Sequence, residues 1–258
     1  MNVERHAKRM YDKFGAAYQR TRDKRQPDRA FNELLELPTM LKAVGDIHGK
    51  FLLDIGCGAG VHIKRYLAKG ARCTGLDISD TMLGLARRNC PKAEFKQGTF
   101  TRLPFKDRTF DIVTASLSLD YCNDLSKTMQ EVCRVLRKGG MFYYSDESPV
   151  YAAIERYEDK NIKCRAAGSI LDKRTGRTIY LGHGWREDIV TWEMIPGMTM
   201  KTYTRTLGTR VRAFVENGFE LVDVIDCKPT AAFKRRNRDK YEAFSRIPIF
   251  SVYVARKK

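Results

Sequence analysis

The chain has 258 residues, 43% of them hydrophobic and 31% charged, with a net charge of +17 from 48 basic and 31 acidic side chains. That length suits one large domain or two small ones and is ample for a real core. No run of 18 apolar residues is present and Met1-Asn2-Val3-Glu4-Arg5-His6 has no apolar stretch, so neither a spanning helix nor a secretory signal is expected, and a cytoplasmic protein is.

Residues 1–22 read as an amphipathic helix, with Met10, Tyr11, Phe14 and Tyr18 near helical spacing. Residues 25–28 form a polar break around Pro27. A second helical segment covers 29–44, carrying Phe31, Leu34, Leu35, Leu37, Met40 and Leu41; Pro38 should kink or restart it. From residue 51 strand and helix alternate, as a parallel sheet requires. Strands are expected at Phe51–Ile55, Arg72–Asp77, Glu94–Gln97, 110–115 and 141–145, and helices at 61–69, Asp80–Asn89 and 125–136. Residues 149–204 are rich in Gly, Arg and Lys and hold His183, Trp185 and Trp192. They read as an inserted, β-rich cap, with a strand at 190–195. A helix at 210–216 and strands at 219–227 and 249–255 finish the chain.

The charge favours anionic partners: RNA, a membrane face or an acidic small substrate. The basic residues are spread along the chain, which favours a merely solvated surface, although clusters stand out at 20–25 and 234–240. The cysteines are Cys57, Cys73, Cys90, Cys122, Cys133, Cys164 and Cys227, an odd number with no C-x-x-C spacing. A disulfide framework and a metal site are therefore not expected.

The first strand runs into Gly56-Cys57-Gly58-Ala59-Gly60. Glycines at alternate positions let the backbone turn sharply and approach a ligand closely, and the next helix points free N–H groups at the same place. A dinucleotide fingerprint needs its third glycine at residue 61, which is Val61, so an oxidoreductase is disfavoured. Asp54, inside the strand end, needs partners: the N–H groups of the glycine loop or, through water, a ligand ammonium. Asp77 ends the second strand 21 residues after Gly56, where a carboxylate accepts from both ribose hydroxyls.

Leu52-Leu53-Asp54-Ile55-Gly56-Cys57-Gly58-Ala59-Gly60, followed by Gly75-Leu76-Asp77-Ile78-Ser79-Asp80-Thr81-Met82-Leu83, resembles the Rossmann-type S-adenosylmethionine-dependent methyltransferases. Leu103-Pro104-Phe105, Phe110-Asp111-Ile112-Val113 and Arg134-Val135-Leu136-Arg137-Lys138-Gly139-Gly140 match in order and spacing, and the likeness covers residues 49–145. It implies a doubly wound α/β fold: a seven-stranded, mostly parallel sheet with its last strand antiparallel. A helical lid over 1–45, a cofactor-binding core over 46–148, the cap over 149–204 and a completion of the sheet over 205–258 follow.

The resemblance also places residues. Tyr11 and Tyr18 are similar to an aromatic lid over the methionine end of S-adenosyl-L-methionine. Gly56, Gly58, Asp77 and Ile78 would hold the nucleoside side, with Met82 under the adenine ring and Ser116 at the end of the fourth strand. The family usually has an acid where this chain has Thr99, so adenine recognition would shift toward a hydroxyl contact and the Phe100 N–H. Asp120-Tyr121 stands where relatives often show His-His or His-Tyr beside the transferred methyl group. Asp120 is then a substrate-binding carboxylate or base, or simply a cap for the next helix. Ser148 replaces a subgroup's histidine, and Tyr203-Thr204-Arg205-Thr206-Leu207 resembles that subgroup's entry into the last helix. The expected function is methyl transfer to a small molecule. An RNA- or protein-modifying methyltransferase and a non-catalytic cofactor-binding scaffold are the alternatives. The acceptor atom (O, N, S, C or As) and the oligomeric state stay open.

Overall fold

The computed structural model describes residues 2–22, 31–152, 155–159, 162–166, 168–172, 177–181 and 187–258. The break around Pro27, the end of the first basic cluster (Asp23, Lys24 and Arg25), His183 and Trp185 lie outside them.

Helix α1 spans Val3–Thr21, capped by Asn2, whose side chain accepts from the Arg5 N–H. A π turn, Asn32–Glu36, leads into α2, Leu37–Val44. Pro38 explains it: the ring has no N–H and crowds the carbonyl four residues back, so the preceding turn widens before the helix restarts. The core follows as β1 (Phe51–Ile55), α3 (Val61–Ala68), β2 (Arg72–Asp77), α4 (Asp80–Asn89), β3 (Glu94–Gln97), β4 (Phe110–Ser116), a 3₁₀ turn (Leu119–Tyr121), α5 (Leu125–Val135) and β5 (Leu136–Glu147).

A short helix α6 (Pro149–Ala152) precedes three two-stranded antiparallel hairpins. They are β6–β7 (Glu155–Asp159 with Ile162–Ala166), β8–β9 (Gly168–Asp172 with Arg177–Leu181) and β10–β11 (Ile189–Ile195 with Met198–Tyr203). The chain ends with α7 (Leu207–Val215), β12 (Phe219–Asp226), α8 (Ala231–Arg236), α9 (Arg238–Phe244) and β13 (Phe250–Lys257).

The sheet order is β12-β13-β5-β4-β1-β2-β3. Pairings among β1 to β5 are parallel, and β13 enters antiparallel between β5 and β12. The order reverses between β1 and β4, and ligands of such sheets bind beyond the carboxyl ends at that switch point. Alternation fills both faces. Leu53, Val113, Phe142, Tyr144 and Tyr253 point to one core with α5 and α7, whereas Leu52, Ile112, Tyr143, Val252 and Val254 point to the other with α2 and α3. Truncating Leu52 or Leu53 to alanine would cost about 2–5 kcal/mol.

Two boundaries and one segment depart most from the sequence reading. Strand β5 starts at Leu136 rather than 141, because Arg137-Lys138-Gly139-Gly140 forms a bulge inside it: Phe110 pairs with Leu136 but Ile112 with Met141. The last helix begins three residues earlier than expected, at Leu207, because Thr206 caps it by accepting from the Thr209 N–H. Helices α8 and α9 were not anticipated. They bury Phe233 against Leu35 and Ile249, with Phe31, Tyr241 and Phe244 around them. Two lysines of the second basic cluster lie over rings there: Lys234 5.3 Å from Tyr241 and Lys240 4.9 Å from Phe31. That part of the charge is absorbed by packing.

Candidate active site

The loop after β1 turns through Gly56, Gly58 and Gly60, with φ of 71°, 54° and 79°. A Cβ on Gly56 would sit 2.5 Å from Ser118 Cβ, so that position requires glycine for both space and torsion. The Gly56 and Cys57 N–H groups donate to the Leu76 carbonyl at 2.7 and 3.0 Å. The Gly58 N–H donates to Oδ2 of Asp77 at 2.8 Å, and the Ser79 N–H to Oδ1 at 2.9 Å. Burial raises the Asp77 carboxyl, against the lowering effect of the Ser79, Gly58 and Ile78 N–H donors. Ser79, not Asp77, caps α4, accepting from the Met82 N–H at 3.2 Å.

Asp54 bonds to a residue outside the glycine loop. It does not hold the glycine loop; that falls to the Leu76 carbonyl and Asp77. Asp54 is 1% exposed and accepts from Thr114 Oγ1 at 2.8 Å. Burial pushes its carboxyl up to about 6, opposed by the His62 charge and the Thr114 bond. It belongs to the buried polar layer beneath the loop, not to the cavity wall.

A cavity of about 830 Å³, counting its mouth, opens beyond the ends of β1, β2 and β4. Of the residues expected in the site, Tyr11, Tyr18, Gly56, Gly58, Asp77, Ile78, Met82, Phe100, Ser116 and Tyr121 line it. Asp54, Thr99 and Asp120 do not line it. Thr99 sits in an isolated bridge with Arg102. Among the described residues, Asp120 Oδ1 has no hydrogen-bond partner. Burial and the charges of Asp146 and Glu147 hold its carboxyl well above the usual range. The cap reading of Asp120 fails, because Asp124 caps α5 by accepting from the Lys127 N–H.

Helix α1 roofs the cavity. Asp12 anchors it on the start of α4: Ser79 Oγ donates to Oδ1 at 2.7 Å, and Thr81 Oγ1 donates to the Asp12 carbonyl at 3.0 Å. A carboxylate suits a helix N-terminus. Gly15 lies flat against Met82, whose Sδ would be 2.7 Å from a Cβ there. This docking turns Tyr11 and Tyr18 toward the cavity. Their rings meet edge-on at 5.9 Å, and the Tyr11 and Tyr121 hydroxyls share a 3.2 Å hydrogen bond. Burial drives both phenols well above their usual range, so they stay protonated at neutral pH. They enclose and hydrogen-bond; neither is an ionised base.

The 3₁₀ turn bearing Asp120 and Tyr121 is clamped from behind by Arg205. Its guanidinium donates to the Leu119 carbonyl at 3.0 Å and to the Cys122 carbonyl. Behind it, Arg210 pairs with Asp146 at 3.2 Å, both buried, and Tyr144 donates to the same carboxylate.

Several lining residues escaped the sequence reading: Glu4, Arg22, Asn32, His62 and Leu117. Leu117 adopts a φ of 49°, a left-handed conformation that no glycine signalled. Arg22 pairs with Glu33 at 2.8 Å. His62 pairs with Glu36 at 2.8 Å, and Ser145 Oγ donates to the other Glu36 oxygen at 2.7 Å.

Residues 53–144 match the model of a methyltransferase domain. An uncharacterized protein of Haemophilus influenzae is 28% identical over 240 residues, 88% of this chain and 89% of that protein. A demethylmenaquinone methyltransferase of Chlorobaculum parvum is 34% identical over 136 residues, 50% of this chain and 56% of that protein. A crystal structure of an S-adenosylmethionine-dependent methyltransferase from Mesorhizobium loti superposes with a TM-score of 0.69 at 26% identity, over 85% of this chain and 96% of that one.

The site's chemistry fits S-adenosyl-L-methionine. Gly56 and Gly58 form a cradle without side chains. Asp77 accepts from backbone N–H groups on both oxygens and still lines the cavity, where it can accept from ligand hydroxyls. Ser116 lines the cavity wall, where its hydroxyl can meet a ligand.

Proposed function

For this S-adenosylmethionine-dependent methyltransferase of the class I Rossmann-like fold, we propose that the methyl acceptor is a small molecule enclosed between α1 and the loop after β4. The observation that carries this reading is the roof: α1 lies across the strand ends, and Tyr11 and Tyr121 join it to the acceptor loop. The Chlorobaculum relative, named for demethylmenaquinone, is consistent with it. The lid (1–45), core (46–148), inserted cap (149–204) and sheet completion (205–258) belong to the same proposal. So does a cytoplasmic location, which suits the free cysteines Cys57, Cys73, Cys90, Cys122, Cys133 and Cys227.

The cofactor, when bound, supplies an activated methyl group on a good leaving group. The chain's own residues orient the partners and exclude water, and orientation alone supplies up to about 7–11 kcal/mol in well-aligned systems. Asp77, Ile78 and the glycine loop hold the nucleoside side, with Met82, Phe100 and Ser116 around it. Tyr11, Tyr18 and Tyr121 wall the acceptor side. Tyr121 is the group positioned to hydrogen-bond an acceptor heteroatom, whereas Asp120 does not line the cavity.

The test is methyl-labelled S-adenosylmethionine, the purified protein and fractionated host extract. Label in small molecules, unaffected by nuclease or protease, supports the reading. Label lost on nuclease or protease treatment overturns it in favour of a macromolecular acceptor.

A further inference from the structure

We propose that Glu4, in the first turn of α1, is a base-recognition residue: its carboxylate takes the place of the acid missing at Thr99, so the lid helix itself reads the 6-amino group of the purine. The inference rests on the S-adenosylmethionine assignment and goes beyond it.

Glu4 is 6% exposed and lines the cavity together with Gly98, Phe100 and Ile78. Its Oε1 accepts from the Phe100 N–H at 3.3 Å. No cation pairs with it among the described residues. A carboxylate so buried and lacking a cation is costly unless a donor meets it. Burial accordingly raises its pKa, only partly offset by the Phe100 bond.

Two ties put the carboxylate at this wall. The Val3 N–H donates to Asn123 Oδ1 at 3.2 Å, and Asn123 Nδ2 donates to Asn2 Oδ1 at 2.9 Å. The start of α1 is thereby fixed to the chain just beyond the 3₁₀ turn. The Phe100 N–H is taken up by Oε1, so what the wall offers a ligand is the other oxygen of the Glu4 carboxylate, an acceptor. A 6-aminopurine presents an amino donor to it, whereas a 6-oxopurine sets its oxygen against the carboxylate. Hydrogen bonds to a charged partner are also the stronger kind, so Glu4 supplies the selectivity that a Thr99 hydroxyl would give only weakly.

The experiment measures the binding of S-adenosylhomocysteine and S-inosylhomocysteine by calorimetry to wild type, Glu4→Ala and Glu4→Ala with Thr99→Asp. Ligand-free melting curves check that α1 remains docked. The expected wild type prefers the adenosyl ligand, Glu4→Ala loses at least tenfold of that preference, and Thr99→Asp restores part of it. A preference unchanged in Glu4→Ala overturns the inference while leaving the cofactor assignment intact. Tighter adenosyl binding by Glu4→Ala also overturns it, because Glu4 would then be a plug. A wild type that binds neither ligand removes the cofactor assignment, and this inference with it.

Discussion

Gly58 and Asp77 are joined by a 2.8 Å hydrogen bond from the glycine N–H to carboxylate Oδ2. The bond ties the loop after β1 to the end of β2, so the cradle and the acid that faces it are set by one contact. Binding-site geometry is thus built into the backbone of two adjacent strands, β1 and β2, which are held in parallel register from Phe51–Arg72 to Ile55–Leu76.

The glycine positions should separate by environment. At Gly56 a Cβ meets Ser118 Cβ at 2.5 Å with φ at 71°, whereas at Gly139, with the same φ of 71°, nothing among the described residues lies within 4 Å. Gly139→Ala carries the positive-φ backbone cost alone, about 1–3 kcal/mol. Gly56→Ala adds overpacking, typically a further ~1–3 kcal/mol. Thermal melts should rank Gly56→Ala clearly below Gly139→Ala; equal melting points would show that the loop has room to yield.

Arg205 holds the 3₁₀ turn through two carbonyls, Leu119 and Cys122, which a lysine cannot bridge with the same fork. Arg205→Lys should lower kcat on the identified acceptor about tenfold or more while leaving affinity for S-adenosylhomocysteine within about twofold, since loss of one misplaced contact in a positioned site can cost ~10²-fold. Equal losses in both would indicate a general collapse of the site instead.

The His62–Glu36 pair makes stability depend on pH in a defined direction. Burial opposes charge on His62, but Glu36, and then Asp54, raise its pKa on balance. Burial likewise opposes charge on Glu36, but His62 and Ser145 lower its pKa on balance. The histidine contribution is complete below its unfolded value of about 6.5 and is lost as pH rises through the higher folded value. The glutamate contribution is complete above about 4.5 and is lost as pH falls through the lower folded value. The pair therefore stabilises most between those limits. The difference in melting temperature between wild type and His62→Gln should be larger at about pH 6 than at about pH 9; a difference that grows with pH would reverse the assigned charge states.

What was legible in the sequence follows from range. Strands β1 and β2 are short runs ended by glycine or acid, and the loop residues sit beside them in the chain. Asp77 was therefore readable at the cavity from local order, and the resemblance added Ile78 and Met82. The bond from Thr114 to Asp54 was not legible because Thr114 is 60 residues away on β4. Glu4 was invisible for the same reason, 96 residues from Phe100. Helices α8 and α9 were hidden because Lys and Arg crowd the few apolar positions Phe233, Tyr241 and Phe244, and the rings that complete that cluster come from the π-turn region and β13.

The most direct test is calorimetric titration of S-adenosylhomocysteine into wild type and Asp77→Ala. Two charge-assisted hydrogen bonds to ribose, at ~1.5–3 kcal/mol each, should leave the variant at least about a hundredfold weaker. Circular dichroism would show the sheet intact. Tight wild-type binding with that loss is the expected result. No wild-type heat, or equal affinities in the two proteins, would contradict a cofactor site organised around Asp77.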